Sequence, residues 1–175
     1  IVTRAEVERA APIADAVRAD AVACDLVHER HVRERRIDWT CAGRAFRSTP
    51  DVVTGDGWIV DLKTTQDASI RRFQQQAFRM AYHAQMACYR EAVRSTGQEV
   101  QGAILVAVET SAPYGVTVHK LSDRLLAEGD RLWRSWLERL AICELEDHWP
   151  GYSDRIEPFD VPDWMAVDEE EGDDE

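Results

Sequence analysis

The sequence lacks any long hydrophobic run. Its longest uninterrupted apolar stretch extends only from Ala103 to Val108, whereas a membrane-spanning helix needs about 20 apolar residues. Its first residues also lack the basic-then-apolar layout of a signal peptide. We therefore expect a cytoplasmic protein with no membrane partner.

Closely spaced cysteines are lacking as well. The chain has four cysteines and no Cys-x-x-Cys pair, so the spacing favours neither a disulfide framework nor a zinc or iron–sulfur site. We interpret all four as reduced and mostly buried thiols. They are Cys24, Cys41, Cys88 and Cys143.

The composition is that of a folded protein with an uneven charge. The 175 residues are 45% hydrophobic and 31% charged, which is typical of one globular domain and excludes a disordered chain. The formal net charge is −12, yet residues 1–100 hold 15 basic and 14 acidic side chains. Seven acidic residues lie within Asp168–Glu175. We predict a domain over residues 1–167 and a disordered acidic tail over 168–175, with an interaction arm or a DNA mimic as the alternative role of the tail.

A basic stretch lies between residues 30 and 47. A phosphate-binding surface and an ordinary charged helix end with its loop explain this stretch equally well. Its members are Arg30, Arg33, Arg35, Arg36, Arg44 and Arg47.

Apolar residues at helical spacing predict three helical regions. The first covers residues 4–32, begins with a capping box formed by Thr3 and Glu6, and is interrupted near Pro12. The second is one long helix from Ser69 to about Ser95. Its predicted buried stripe consists of Ile70, Phe73, Ala77, Met80, Ala84 and Cys88. The third begins after Ser122. Its predicted buried face consists of Leu125, Leu132, Trp136, Leu140 and Cys143.

Short apolar or alternating runs predict the strands. The runs are 36–39, 45–47, 51–53, 58–64, 102–108 and 114–120. A Gly/Asp turn at 54–57 joins two of them into a hairpin. Helices and strands in this order predict an α/β fold with a mixed central β-sheet flanked by helices.

Two acids and one lysine are predicted to meet on the hairpin. Asp51 and Asp61 come from neighbouring strands, and Lys63 points to the same side as Asp61 because side chains alternate along a strand. Mg²⁺ favours one or two carboxylates together with waters and phosphate oxygens. A metal bound in this way activates water and polarises a phosphodiester, so the pattern indicates phosphodiester hydrolysis. Asp-x-Lys alone is a weak signal, but an acid and a lysine in an otherwise apolar strand are costly unless they are paired or used.

A polar and aromatic stripe lies on the long predicted helix. Tyr82, Gln85 and Tyr89 are spaced by three and four residues and share one helix face. They either reach over the metal site or form the rim of the core, and taken alone the second interpretation is preferred.

Together, these motifs resemble a known superfamily. Pro50-Asp51, Asp61-Leu-Lys63 and Gln85-x-x-x-Tyr89 are similar to the PD-(D/E)XK nucleases, RecB-like branch. The segments Asp61–Ala68 and Tyr82–Tyr89 resemble the RecE (exonuclease VIII) C-terminal nuclease domain, as do Trp149-Pro-Gly-Tyr152 and Pro162-Asp-Trp164 at the end of the chain. The resemblance covers roughly residues 34–165 and is more specific than any single motif.

The resemblance implies an exonuclease that uses Mg²⁺ or Mn²⁺ and digests linear double-stranded DNA from 5′ ends. It also implies a RecT-like single-strand annealing partner and a ring-shaped homo-oligomer. The implied catalytic residues are Asp51, Asp61, Lys63, Gln85 and Tyr89. The implied metal ligands are Asp51, Asp61, the Leu62 carbonyl and Glu34. We assign DNA contacts to Arg47, Thr64, Arg71, Arg72, Arg79 and Tyr82. An iron–sulfur cluster is not expected, because only Cys143 follows the Gln-x-x-x-Tyr helix.

The sequence departs from the RecB-like pattern at two points. A metal-binding histidine in a Gly-x-x-x-His motif is missing before Asp51. Sequence upstream of Ile1, substitution by His28 or His31, or a weakened site would each explain this, and we favour the first. The second departure is Thr49, where relatives often carry an arginine. His83 cannot share a helix face with Gln85, so we interpret it as structural or as part of a second surface.

Three other functions stay open. Another nuclease of the same superfamily, such as an endonuclease, is the nearest. A catalytically weakened relative that serves as a DNA-binding or assembly module is the second, supported by the missing histidine and the acidic charge. An acidic partner-binding protein with a coincidental motif is the third, and it would bind no divalent ion.

Overall fold

The chain forms two compact units, residues 1–138 and residues 139–175. A computed structural model describes residues 3–28 and 30–161. The predicted acidic tail, residues 168–175, lies outside the described residues, as does Pro162-Asp-Trp164. Within the described ranges, none of the helices is both long enough and apolar enough to cross a membrane.

Two short helices begin the first unit. Helix α1 covers Arg4–Ala19 and starts with the predicted capping box, in which the Thr3 and Glu6 side chains each bond to the other residue's backbone. Helix α2 covers Ala21–Leu26. The predicted interruption near Pro12 is wrong, because α1 continues through this residue. The break lies at Asp20, whose backbone is extended and whose carboxylate accepts hydrogen bonds from the first backbone N–H groups of α2.

A five-stranded mixed sheet forms the centre of the first unit. Its strands are β1 (Val32–Arg33), β4 (Val52–Val53), β5 (Trp58–Thr65), β6 (Gly102–Glu109) and β7 (Val116–Lys120), in the order β1-β4-β5-β6-β7. The β5–β6 pair is parallel and the other pairs are antiparallel. The predicted mixed sheet is confirmed, although β1, which is only two residues long, was not predicted.

A separate hairpin packs beside this sheet. Strand β2 (Ile37–Cys41) pairs antiparallel with β3 (Arg44–Ser48). Trp39 donates a hydrogen bond from its indole Nε1 to the Ser48 hydroxyl at 3.0 Å. Trp39 also packs against Phe46 and, edge to face, against Trp133. The two predicted strand pieces are therefore confirmed, as a hairpin closed by an aromatic cluster.

The predicted long helix over 69–95 is two helices. Helix α3 covers Ile70–Arg79 and α4 covers Tyr82–Ser95, separated at Ala81, whose φ of 52° and ψ of 36° are left-handed. The predicted buried stripe is correspondingly wrong at two positions, because the Ile70 and Met80 side chains are exposed. A spacing of three and four residues marks one face only while a helix is continuous, and the break turns α4 relative to α3.

Within the first unit, helix α5 (Asp123–Glu146) packs through a face that overlaps the predicted one in part, at Leu125 and Leu132. Ser122 caps it as predicted, because its hydroxyl accepts a hydrogen bond from the Leu125 N–H at 3.2 Å. The buried positions are Leu126, Gly129 and Trp133, whereas Trp136 is exposed. The buried face is therefore shifted from the prediction by about one position.

Helices cover both faces of the sheet. Ile59, Leu105 and Ala107 point to the side of α3, α4 and α5, while their neighbours Val60 and Val106 point to the side of α1 and α2. The four cysteines form no disulfide within the described residues, and all are half-buried rather than mostly buried as predicted. The flanking helices complete the predicted architecture.

The second unit contains the end of α5, from Arg139 to Glu146, and then residues 147–161 without helix or strand. Its local order comes from short hydrogen bonds. The Ser153 hydroxyl donates to the Glu157 carboxylate at 2.5 Å, and Arg155 pairs with the same carboxylate at 3.0 Å.

Candidate active site

The hairpin of β4 and β5 brings Asp51 to the middle of β5. Val52 is paired with Val60 and Val53 with Ile59, so Asp51, the residue just before β4, lies beside β5. Its carboxylate Oδ2 accepts a hydrogen bond from the Leu62 backbone N–H at 2.7 Å. The predicted hairpin is confirmed, and it fixes the Asp51 carboxylate next to the Asp61–Lys63 segment.

Asp61 and Lys63 form a buried ion pair. Alternation along β5 directs both side chains to the α4 side, where the Lys63 Nζ lies 2.5 Å from the Asp61 Oδ2. The exposed fraction is 3% for the Asp61 side chain and 16% for the Lys63 side chain. Burial raises the pKa of Asp61; the Lys63 ammonium opposes this shift, and the nearby Asp51 carboxylate adds to it. Oδ2 faces the Lys63 ammonium, and a carboxylate oxygen has a second lone pair, so it retains capacity for a metal ion.

Gln85 and Tyr89 hold this ion pair from α4. The Gln85 amide oxygen accepts a hydrogen bond from the Lys63 Nζ at 2.8 Å, and its Nε2 donates to the Tyr89 hydroxyl at 3.0 Å. Nε2 also lies 3.5 Å from the Asp61 Oδ1. Burial raises the pKa of Tyr89, so its phenol stays neutral. Because an ammonium group only donates, these contacts determine which way the amide points.

Tyr82 completes the surroundings of Lys63. The Lys63 Nζ lies 4.5 Å from the centre of the Tyr82 ring, within the range of a cation–π contact. The break at Ala81 makes Tyr82 the first residue of α4. Of the predicted stripe, Tyr82 and Gln85 therefore contact Lys63, and Tyr89 contacts Gln85.

A cavity of about 700 Å³ opens beside Asp51 on the side of α1 and α2. Its polar lining includes Glu34, Thr64 and His28, while α1 supplies an apolar wall. The Glu34 backbone N–H donates to the Asp51 carbonyl at 2.9 Å. Glu34 and Thr64 thus border the same space as Asp51.

A polar groove of about 760 Å³ lies on the other side, along α3. Its lining includes two of the predicted DNA-binding arginines, Arg72 and Arg79, together with Thr64. Arg71, on the same helix, is exposed and does not line it. Arg47 pairs with Asp38 at 3.2 Å on the β2–β3 hairpin. The predicted DNA contacts therefore lie on more than one surface.

The basic stretch is partly neutralised locally. Arg30 pairs with Asp25, and both Arg36 and Arg47 pair with Asp38. Arg33 instead lines the cavity beside Asp51. Arg30, Arg36 and Arg47 thus belong to exposed ion pairs.

The donor set at the site suits a hard divalent cation. Asp51 and Asp61 both offer carboxylate oxygens, and the Asp51 charge is close enough to raise the pKa of Asp61. Throughout residues 3–28 and 30–161, no three His, Cys, Asp or Glu side chains cluster closely enough to hold a metal ion. Mg²⁺ commonly binds through one or two carboxylates and keeps several waters. The residues fit such an ion, and a ligand role for Glu34 or the Leu62 carbonyl stays a prediction.

The histidines occupy different surroundings. His28 lines the cavity beside Asp51, and its Nδ1 accepts a hydrogen bond from the Arg30 backbone N–H at 3.1 Å. The His31 ring nitrogen Nε2 lies 3.1 Å from the Asp25 carbonyl. His83 lies against Phe78 on a different pocket. Of the two proposed substitutes for the missing histidine, only His28 borders the cavity beside Asp51.

Sequence reasoning missed Gln76 and Thr65. The Thr65 hydroxyl donates to the Gln76 Oε1 at 2.7 Å, and the Gln76 Nε2 donates to the Tyr82 hydroxyl at 3.4 Å. Thr65 follows Lys63 by two residues, so strand alternation places it on the same face. Gln76 has no corresponding signal, because its position depends on the break between α3 and α4.

Comparison with known proteins identifies one family. A family model described as a PDDEXK-like domain of unknown function (DUF3799) matches residues 2–162. No curated protein matches the sequence.

Two solved structures provide further comparisons. A candidate exonuclease from Eubacterium rectale matches with a TM-score of 0.68 and 16% identity, over 91% of this chain and 64% of that one. The alkaline exonuclease LHK-Exo from Laribacter hongkongensis matches with a TM-score of 0.39 and 22% identity, over 70% of this chain and 63% of that one. The chain thus spans less than two thirds of either protein, and the first comparison supports the fold.

Proposed function

The chain belongs to the family of PDDEXK-like domains of unknown function, and from this premise we propose that it is a metal-dependent exonuclease of linear double-stranded DNA. The family and the fold support a nuclease. The observation that carries the proposal is the convergence of Asp51, Asp61 and Lys63 at one point of the hairpin. Digestion from 5′ ends, which leaves 3′ single strands for recombination, is the finer part of the proposal.

Asp51 and Asp61 would hold the divalent cation, Mg²⁺ or Mn²⁺, with the Leu62 carbonyl and Glu34 as further candidates. The ion would supply Lewis-acid activation of water and of the scissile phosphate. The hydrogen bond from the Leu62 N–H to Asp51 orients that carboxylate before any ion binds. Removing the charges of Asp61 and Lys63 from water costs free energy. That the pair is nevertheless buried supports a functional site.

Lys63 is the proposed catalytic lysine. Its ammonium is held between the Asp61 carboxylate, the Gln85 amide oxygen and the Tyr82 ring. From this position it would orient the attacking water and stabilise negative charge on the phosphate oxygens. Gln85 and Tyr89 act behind it, because their hydrogen bonds fix the lysine in one direction.

The DNA would pass beside the exposed end of β5. Thr64 lines both the cavity beside Asp51 and the polar groove along α3. Arg72 and Arg79 line that groove and would contact phosphates. We further propose that Arg47 and Tyr82 contact DNA, that a RecT-like annealing protein receives the product strands, and that the protein acts in the cytoplasm as a ring-shaped homo-oligomer. Arg71 is exposed outside the groove and is given no part in DNA binding.

The test is release of nucleotides from linear duplex DNA with Mg²⁺, Mn²⁺ or a chelator. We expect metal-dependent digestion of linear DNA and resistance of covalently closed circular DNA. Substrates labelled at either the 5′ or the 3′ end decide the polarity. Lys63→Ala should reduce kcat by at least about 10³-fold if this lysine orients the water.

Lys120→Ala is the matched control, because the chain contains only two lysines and Lys120 lies over Trp58 at the far end of the sheet. It should digest DNA like the wild type. Cleavage of closed circles would instead identify an endonuclease. Metal binding or DNA binding without cleavage would identify a weakened relative that serves as a binding module.

A further inference from the structure

Gln76 links the polar groove to the active site. Its side chain lines the groove together with Arg72 and Arg79. Both ends of its amide are engaged, because Oε1 accepts from the Thr65 hydroxyl at 2.7 Å and Nε2 donates to the Tyr82 hydroxyl at 3.4 Å. One side chain of α3 is therefore tied both to β5 and to the first residue of α4.

The Tyr82 end of this chain of contacts bears on Lys63. The ring lies 4.5 Å from the Lys63 Nζ, in addition to the ion pair and the amide hydrogen bond that this ammonium makes. Tyr82 is only half-buried. Packing against Phe73, with ring centroids 6.3 Å apart, helps to place the ring. The hydrogen bond from Gln76 adds a restraint at the hydroxyl end of the ring.

We propose that Gln76 is a positioning residue for the catalytic lysine: it holds Tyr82 over Lys63 and so fixes the ammonium for reaction. The inference rests on the proposed function of Lys63. Gln76 lies on α3, so a phosphate backbone between Arg72 and Arg79 contacts the helix that restrains the lysine. We expect Gln76 to affect the rate of the chemical step rather than the affinity for DNA, because both ends of its amide are already hydrogen-bonded within the protein.

The ordinary alternative is that Gln76 only fastens α3 to β5. The neighbouring Gln75 provides a matched control, because it lines the same groove and makes no side-chain hydrogen bond within the described part of the chain. Tyr82→Phe provides the complementary variant, since it keeps the ring and removes only the hydroxyl. A fastening role alone predicts that Gln76→Leu lowers the melting temperature and that Tyr82→Phe changes nothing.

The first experiment measures single-turnover rates on linear duplex DNA with saturating Mg²⁺. Gln76→Leu and Tyr82→Phe should each lower the rate roughly three- to tenfold, the effect expected from a loosened cation–π contact. The double variant should be no slower than either single variant, because both remove one contact. Gln75→Leu should match the wild type in its single-turnover rate at saturating DNA, and the Kd for DNA should change by less than about twofold in Gln76→Leu.

The second experiment needs no enzymatic activity. Because the chain contains only Lys63 and Lys120, ¹³C-labelled lysine gives two side-chain NMR signals, which Lys63→Ala and Lys120→Ala assign. Both ammonium groups lie over aromatic rings, so both ε-CH₂ signals should be displaced upfield. Gln76→Leu and Tyr82→Phe should move the Lys63 signal towards its random-coil position and leave the Lys120 signal unchanged.

The outcomes separate the two proposals. A wild-type chain without nuclease activity, but with a Lys63 signal that depends on Gln76, retains the positioning role and overturns the proposed function. Full nuclease activity with a Lys63 signal that ignores Gln76→Leu overturns the positioning role. Additive rate losses in the double variant, or equal losses in Gln75→Leu, overturn it as well.

Discussion

The buried pair of Asp61 and Lys63 is the most informative feature at the scale of single residues. Its side chains are 3% and 16% exposed, and taking two charges out of water costs more than their attraction returns unless the geometry and hydrogen bonds are good. Gln85 supplies one such bond to Lys63, but its contact with the Asp61 Oδ1 is long, at 3.5 Å. A buried ion pair with few supporting hydrogen bonds at the centre of a sheet is expected where it serves catalysis rather than stability.

Breaking this pair should cost stability, and removing it altogether should not. Lys63→Met leaves the Asp61 carboxylate buried without its cation and should lower the free energy of unfolding by about 2–4 kcal/mol. The double variant Asp61→Asn with Lys63→Met should recover most of this loss. Urea unfolding without metal measures both, with the exposed Lys120→Met as the control, expected within about 0.5 kcal/mol of the wild type. A double variant less stable than Lys63→Met would contradict the account.

The residues of this site could be predicted to the extent that they obey local periodicity. Alternation along a strand places Asp61 and Lys63 on one face, and a spacing of three and four residues groups Tyr82, Gln85 and Tyr89. Both regularities act within one element, so neither depends on the rest of the fold. Gln76 escaped prediction because its contact with Tyr82 joins two elements.

At the scale of elements, the break at Ala81 decides which groups meet. Neither glycine nor proline marks the position, and alanine in a left-handed conformation is disfavoured by about 1–2 kcal/mol. Tertiary contacts must therefore offset this cost. Phe73 of α3 and Ala84 and Met86 of α4 are all deeply buried in one cluster, which a straight helix would not achieve. The periodic pattern predicted a single helix because it contains no information about packing against the sheet.

The contact between α5 and the start of α4 gives a prediction at this scale. Gly129 lies so close to the backbone of His83 and Ala84 that a methyl group there would overlap the His83 carbonyl. In an unpacked helix, Gly→Ala stabilises by about 1 kcal/mol. Here Gly129→Ala should instead destabilise by about 2 kcal/mol or more, because backbone cannot move aside as a side chain can.

Thermal and urea unfolding of Gly129→Ala measure this effect. The control is Glu128→Ala, the adjacent position, whose side chain is largely exposed. This control should change stability by less than about 0.5 kcal/mol. A stabilised Gly129→Ala variant would show that α5 does not approach α4 as closely as the structure has it.

At the scale of the whole molecule, the sequence predicts the fold better than it predicts how charge is distributed over the surface. The sequence predicted the α/β layers, because strands and helices alternate along the chain, and the family match agrees with them. It could not predict which basic residues face one surface. Arg72 and Arg79 line the groove beside the active site, whereas the adjacent Arg71 does not. A chain of net charge −12 repels DNA at long range, so binding depends on such local groups.

The salt dependence of DNA binding tests whether the groove arginines, rather than the net charge, contact the phosphates. Arg72 and Arg79 are seven residues apart, about 10.5 Å along the helix, and face one groove. If each neutralises one phosphate, the slope of log K against log salt becomes shallower by about 0.9 per arginine. The double variant Arg72→Gln with Arg79→Gln should therefore reduce the slope by about 1.8, and Arg71→Gln should leave it within error of the wild type.

Fluorescence anisotropy with duplex DNA in Ca²⁺, over a range of salt concentrations, measures the slopes. Equal slopes for Arg71→Gln and for either single groove variant would mean that only net charge matters, and the groove would lose its assigned role.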